Sequence, residues 1–433
     1  ITRDITGEEF YSTIYSVRES PLKKGIIWVG ANDGPVHITT DAGKSWKNVT
    51  PNKNKKGGRV DSVEPSQHNH SKAFVTILRY QLGDWRPYIY RTYDNGNSWD
   101  LITKGIPVDY PVRVLREDPK REGLLFAGTE FGMFISFDDG NSWQSFQQNL
   151  PVTPITDIKI HRNDVVLSTM GRSFWIMDNI DYLRSFSSND NDILYPVANT
   201  IRYRNRPSNS NHVSYPRTSV DIDYKITEES VGEILIQIMD NENNLINSYK
   251  SIDNNANIES YEMSTNEFTF ISNSNISKSD GVNRFKWDMR HRGSWNKNAR
   301  FSFRNGPMAK PGHYKVILTI DGNSFTENFE IISDPRIKDV TSEVYEEQEK
   351  ILLEIRDFMT EVRLFEDKVS KMLEKKPKNK KYLSIDRELN TKEGTYMQPM
   401  LIDQIRYLQS MLSRADQKPG KDALNRLKEL RSE

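Results

Sequence analysis

The chain has 433 residues, with 60 basic side chains against 60 acidic ones and no cysteine. That length accommodates two to four domains. The balanced charge argues against a general affinity for nucleic acid or anionic membrane, and the missing thiol excludes disulfides and thiolate metal sites. No run approaches the ~18 apolar residues of a membrane helix.

The chain opens at Ile1 with neither Met nor a signal peptide, and reads as a fragment or processed form. Residues 1–6 are β-prone and read as the outer strand of a preceding unit. From there strand-like runs come in fours. The first unit covers 10–17, 26–30, 36–40 and 46–49. The second covers 60–63, 73–80, 88–93 and 99–102. The third covers 112–115, 124–128, 133–137 and 143–146, and a fourth, incomplete unit covers 155–160, 165–169 and 173–177. A shared motif, Ser/Thr-x-Asp-x-Gly-x-Ser-Trp, closes the third strand of the first three units: Thr39 to Trp46, Thr92 to Trp99 and Ser136 to Trp143. Repetition at this period signals a propeller or a solenoid, and units of four antiparallel strands fit propeller blades. Each copy reads as a hairpin. Asp41, Asp94 and Asp138 accept hydrogen bonds from turn amides, and Gly43, Gly96 and Gly140 take the turn. Trp46, Trp99 and Trp143 supply apolar area between sheets in equivalent places.

The stretch 109–184 contains Arg-Glu-Asp-Pro-Lys-Arg (116–121), Gly-Leu-Leu-Phe-Ala-Gly-Thr-Glu (123–130), Ser-Phe-Asp-Asp-Gly (136–140) and Gly-Arg-Ser-Phe-Trp-Ile-Met-Asp (171–178). It resembles the Asp-box (bacterial neuraminidase repeat) propellers of large secreted bacterial proteins, those labelled sortilin-like or glycosyl-hydrolase-like. The resemblance extends over essentially the whole chain. It implies a secreted or periplasmic protein whose remaining blades lie upstream. It implies no particular reaction, because sialidases, xyloglucan hydrolases, sorting receptors and photosystem assembly factors share the motif.

Residues 187–218 are polar and read as a linker, docked by strands at 194–197 and 200–203. A second β region, 219–336, has short strands separated by Pro and Gly, and a hairpin turn at Asp321-Gly322, as in an immunoglobulin- or fibronectin-like sandwich. Within it, residues 306–314 resemble a fibronectin- or flagellar-hook-cap-like strand entry, and the Asn- and Ser-rich stretch 254–280 reads as a surface excursion. From Thr341 the period changes. Val344, Ile351, Ile355, Phe358, Val362, Phe365, Val369 and Met372 mark a long amphipathic helix. Residues 375–381 read as a basic turn, and Leu401 to Leu412 and Leu424 to Leu430 mark two further helices of a bundle. The expected fold is therefore mainly β with a helical C-terminus: propeller blades over 1–186, the linker, the sandwich, and a helical hairpin or bundle over 337–433.

In such blades the Asp-x-Gly turns occupy one end of the sheets, and the second-to-third-strand loops occupy the other. Those loops hold Asp33, Glu130 and Arg172, and the longest holds Asp84, Trp85 and Arg86. Carboxylates, a planar guanidinium and aromatic platforms suit a glycan or a peptide. The expected function is non-catalytic binding or scaffolding, with no cofactor, no metal and no nucleic acid; the alternative is a glycoside hydrolase using a carboxylate pair. His68 and His70 read as a surface turn rather than a metal site, for want of a third ligand. Trp287 and Trp295 read as interface residues.

Overall fold

The computed structural model describes residues 12–51, 57–187, 191–204, 218–227, 232–251, 272–274, 276–298, 302 and 304–432. The expected strand over 1–6 lies outside the described residues, as do residues 188–190 and 205–217 of the linker and most of the stretch 254–280. Two compact units make up the chain, Ile1–Arg184 and Ser185–Glu433.

In the first unit, consecutive strands form small antiparallel sheets. The first comprises β1 (Ile14–Glu19), β2 (Ile27–Ala31), β3 (Val36–Thr39) and β4 (Lys47–Asn48). The second comprises β5 (Arg59–Pro65), β6 (Ala73–Leu78), β7 (Ile89–Thr92) and β8 (Asp100–Leu101). The third comprises β9 (Val112–Glu117), β10 (Leu125–Thr129), β11 (Gly132–Ser136) and β12 (Gln144–Ser145). A fourth has β13 (Ile155–His161), β14 (Asp164–Thr169) and β15 (Phe174–Met177). First strands neighbour one another, β1 with β5, β5 with β9 and β9 with β13. Apolar side chains fill the spaces between: Trp28, Val36, Val60 and Val75 between the first two sheets, and Phe74, Ile89, Leu115 and Phe134 between the next two. Every first strand carries one extra residue in its pairing with the second strand, at Tyr15, Asp61, Arg113 and Thr156. Such bulges re-aim a side chain without ending the ladder.

The three Asp-x-Gly turns share one hydrogen-bond pattern. The Gly43 amide donates to Thr39 Oγ1 at 2.9 Å, and the Ser45 amide and hydroxyl donate to the Asp41 carboxylate at 2.9 and 2.6 Å. The same bonds recur at Gly96, Ser98 and Asp94 and at Gly140, Ser142 and Asp138. The bond from the Ser hydroxyl, reinforced by its amide, pulls the Asp41 and Asp94 carboxyls down to about 2. Trp99 Nε1 then donates to the Val49 carbonyl at 2.7 Å, and Trp143 Nε1 to the Ile102 carbonyl at 2.8 Å. Each indole thus bonds to the residue just past the outer strand of the preceding sheet. Trp46 departs from the expected equivalence. It is 46% exposed, whereas Trp143 is 5% exposed, because no preceding sheet covers it among the described residues.

The second unit begins in α1 (Asp181–Ser185) and holds two sheets and a helical segment. One sheet has the order β16 (Ile193–Leu194), β18 (Val220–Ile226), β22 (Gly281–Trp287). The other runs β17 (Thr200–Arg202), β24 (Asn323–Ser333), β23 (Gly312–Ile320), β19 (Ile234–Asp240), β20 (Leu245–Ser251), β21 (Ser272–Ser274). One apolar cluster draws on both, including Ile222, Tyr224, Ile236, Trp287 and Val316. Trp287 belongs to this core, while the loop after it meets the helices. The Trp295 amide donates to Thr360 Oγ1, and His291 Nε2 lies 2.8 Å from Glu349.

The helices are α2 (Ser342–Lys375), α3 (Lys380–Leu389), α4 (Leu401–Leu412) and α5 (Lys421–Ser432). The buried face of α2 includes Ile351, Leu352, Ile355, Phe358, Met359, Val362 and Val369, whereas Phe365 and Met372 of the expected stripe are exposed. The segment read as a basic turn contains the start of α3, whose N-cap Asn379 accepts from the Lys381 and Tyr382 amides. No helix among the described residues is long and apolar enough to cross a membrane.

Candidate functional site

The end of the first unit opposite the Asp-x-Gly turns gathers the second-to-third-strand loops and the bulges of the first strands. Two bulge residues meet there. Arg113 Nη2 lies 2.6 Å from Glu130 Oε1, and its Nη1 lies 3.7 Å from Asp61 Oδ2. Arg59 grips Asp61 with two nitrogens and lies over the Tyr15 ring at 4.6 Å. Burial pushes the Asp61 carboxyl up, against the pull of Arg59 and Arg113.

Tyr80 links this cluster to the long loop. Its ring lies 6.0 Å from the Arg113 guanidinium and 5.6 Å from the Trp85 ring. Asp84 accepts from Arg86 at 2.8 and 3.0 Å, from Tyr88 at 2.7 Å and from Arg79 at 3.2 Å. Burial alone would raise Asp84, but these donors outweigh it and hold the carboxyl well below the usual carboxylate range. Trp85 and Arg86 are exposed, so the loop offers an aromatic face and a guanidinium edge to solvent.

The structure thus joins Asp84, Trp85 and Arg86 on one loop and connects them, through Tyr80 and Arg113, to Glu130. Asp33 accepts from the Ser12 hydroxyl at 2.7 Å. Its neighbour Gly34 packs on Gly57 and Gly58, and the Gly57 carbonyl in turn accepts from Arg79. Arg172 is not drawn in. Its described contacts are local, the amide donating to Thr169 Oγ1 and the carbonyl accepting from Trp175.

Sequence reasoning missed Asp61, Arg59 and Arg113. Each sits in an apolar–charged alternation that reads as a solvent-facing strand position, and the bulges that aim Asp61 and Arg113 leave no mark in composition. At the other end of the unit, His68 Nε2 lies 2.8 Å from the Asp118 carbonyl. No group of three or more His, Asp or Glu among the described residues could hold a metal ion.

No family model matches the chain, and no curated protein matches it. Solved structures with some likeness include YCF48 bound to D1 peptide, at 14% identity over 49% of this chain and 62% of that one, TM-score 0.31. The GH74 xyloglucanase from Xanthomonas campestris matches at 13% identity over 50% of this chain and 34% of that one, TM-score 0.32. The extracellular domain of a hybrid two-component system from B. thetaiotaomicron matches at 12% identity over 74% of this chain and 38% of that one, TM-score 0.30. The chain spans less than two thirds of each of these. Scores this low favour neither binding nor hydrolysis.

Proposed function

We propose that residues 1–186 are blades of an Asp-box β-propeller, and that they bind a peptide or glycan outside the bacterial cytoplasm as part of a larger protein. On this reading 219–336 are a sandwich and 337–433 a helical bundle beside it. The bared face of the first sheet, with Ile14, Val17 and Trp46 exposed, receives a further blade of the same protein. The observation that carries the binding reading is the commitment of the carboxylates. Asp84 and Glu130 are held by arginines, so they shape a rigid polar surface beside exposed Trp85 and Arg86 rather than standing free as acid and base. Loops on a sheet scaffold are where binding concentrates. Arg172 is assigned to the same end of the unit by its loop.

The test is a glycan and peptide array with the whole protein, comparing wild type with a Trp85→Ala, Arg86→Ala double variant. Loss of the detected ligand by the folded variant is the expected result, and full retention moves the site elsewhere. One observation favours glycoside hydrolysis as a second reading. Arg113 stands between Asp61, whose carboxyl is pushed up, and Glu130, a pairing that could divide acid and base roles. Oligosaccharide cleavage abolished by Asp61→Asn and by Glu130→Gln in folded protein would establish it.

A further inference from the structure

The end of the first unit that carries the Asp-x-Gly turns has its own cavity, of about 180 Å³, between the ends of the four first strands. That is room for about six waters. Its charged lining follows the repeat. Arg18 pairs across its sheet with Trp28, Glu64 with Phe74, Arg116 with Phe126 and Lys159 with Val166. These four therefore occupy one level in successive sheets, and all four line the cavity. Pro21, Pro65 and Pro119 form an apolar part of the wall.

The balance of charge turns on Glu64. Arg116 is engaged by Asp157 at 2.6 Å and reaches Glu64 at 3.4 Å. Glu117 also lines the cavity, but it and Asp139 share Lys72, at 3.0 and 2.6 Å, and Arg91 lies 3.2 Å from Asp139, so this pair of carboxylates is matched by its own pair of cations. Glu19 accepts from the Gly25 amide. Arg18 and Lys159 make no ion pair among the described residues. When Glu64 carries a proton, Arg18, Arg116 and Lys159 face only Asp157 and Glu19, which leaves one positive charge. When Glu64 is ionised the balance is zero. Burial pushes Glu64 up to about 7, against the pull of Arg116 and Arg18, so both states are reached near neutrality.

We propose that this cavity is a second binding site, separate from the loops at the opposite end, for a monoanionic carboxylate held between Arg18 and Lys159 and taken up together with a proton on Glu64. The carboxylate could belong to a sugar acid or to a peptide C-terminus, which share this chemistry.

Isothermal titration calorimetry on the 433-residue chain tests the site, with glucuronate and N-acetylglycinate as probes and methyl glucoside and N-acetylglycinamide as neutral controls. A carboxylate probe should bind about tenfold more weakly at pH 8 than at pH 6, with proton uptake visible as buffer-dependent heat. Glu64→Gln should bind at pH 8 as wild type does at pH 6 and lose the pH slope. An Arg18→Ala, Lys159→Ala double variant should lose at least about tenfold in affinity. Both side chains are exposed, so folding should survive, and circular dichroism checks it. Binding of glucuronate alone assigns a sugar acid, of N-acetylglycinate alone a peptide terminus, and of both the carboxylate itself. No binding of either probe overturns the proposal. So does an unchanged pH slope in folded Glu64→Gln, or equal affinity in the double variant.

Discussion

The three motif tryptophans make one perturbation with three different outcomes. Trp143 is almost fully covered among Phe74, Ile102, Ile106 and Phe134, and donates to the Ile102 carbonyl. A tryptophan buries about 150–250 Å², worth about 4–6 kcal/mol at ~25 cal/mol per Å². Truncations of this size cost about 3–5 kcal/mol in measured cores, and the stranded carbonyl adds about 1 kcal/mol. Trp46 is 46% exposed, with no such indole bond among the described residues, so Trp46→Ala should cost about half as much. Trp99, partly buried but bonded to the Val49 carbonyl, should fall between.

Differential scanning calorimetry of the chain reads the difference. Each kcal/mol moves Tm by about 2–4 °C for a unit of this size, so Trp143→Ala should melt lower than Trp46→Ala by roughly 4–12 °C. A second pair isolates the cause. A Cβ at Gly96 would meet Val49 Cβ at 2.7 Å, whereas at Gly43 the nearest atom, Trp46 Nε1, is 3.9 Å away. Both glycines have positive φ, 81° and 88°, so the backbone strain of an alanine is common to both and only the clash differs. Gly96→Ala should therefore be the more damaging. Equal Tm shifts for Trp46→Ala and Trp143→Ala would refute the reasoning, because they would mean that the first sheet is covered as the third is.

Four other outcomes follow. Lys72→Met leaves Glu117 and Asp139, 3.0 and 2.6 Å from the lost ammonium, without their buried partner; a loss of about 3–5 kcal/mol in urea unfolding is expected. Glu64 holds in the folded state a proton that the unfolded chain releases near 4.5, so its contribution is present below that pH and is lost as pH rises through about 7. Glu64→Gln should therefore gain about 3 kcal/mol on wild type between pH 4 and pH 8, read from paired denaturation curves. Asp94 has the opposite sign. Its stabilisation is present above the ordinary carboxylate pKa and fades as pH falls through about 2, so the deficit of Asp94→Asn at pH 7 should shrink in acid. In the second unit, fully buried Asp416 takes Arg202 at 2.6 Å and Arg204 at 2.7 Å, and Asp416→Ala should cost about 3–5 kcal/mol by proteolysis midpoint.

Much of the first unit was legible in the sequence because its information is local. Asp, Gly, Ser and Trp within eight residues specify a turn, and apolar alternation on either side specifies the strands. The helices were legible for the same reason, with two exceptions. Phe365 and Met372 continue the helical period, but what packs on α2 changes along its length, and period alone cannot report that. The whole of α3 was missed: its start lies in a lysine-rich run whose polarity reads as a turn, and Asn379 after Pro377 was the cap signal. The site was legible only where it lies on loops. Glu130 and Asp84 stood out as loop carboxylates, but Arg113, the partner of Glu130, and the pair Arg59 and Asp61 lie on strands, and the bulge that aims Arg113 is a property of pairing register.

The repeat also separates what the sheets need from what the ends do. At the Asp-x-Gly turns the hydrogen bonds are the same three times over, with Thr or Ser, Asp, Gly and Ser in fixed places. At the bulges the corresponding residues are Tyr15, Asp61, Arg113 and Thr156, and one level from the other end they are Arg18, Glu64, Arg116 and Lys159. A position that only had to pack would draw on one kind of side chain in each sheet, as Trp28, Phe74 and Phe126 do on the second strands. Positions that hold an acid in one sheet and a base in the next place unlike charges side by side where the first strands meet. That arrangement costs desolvation, about several kcal/mol per buried ion, and folding alone does not require it. The two ends of the first strands are therefore where a ligand should be sought, and the Asp-x-Gly turns are scaffold.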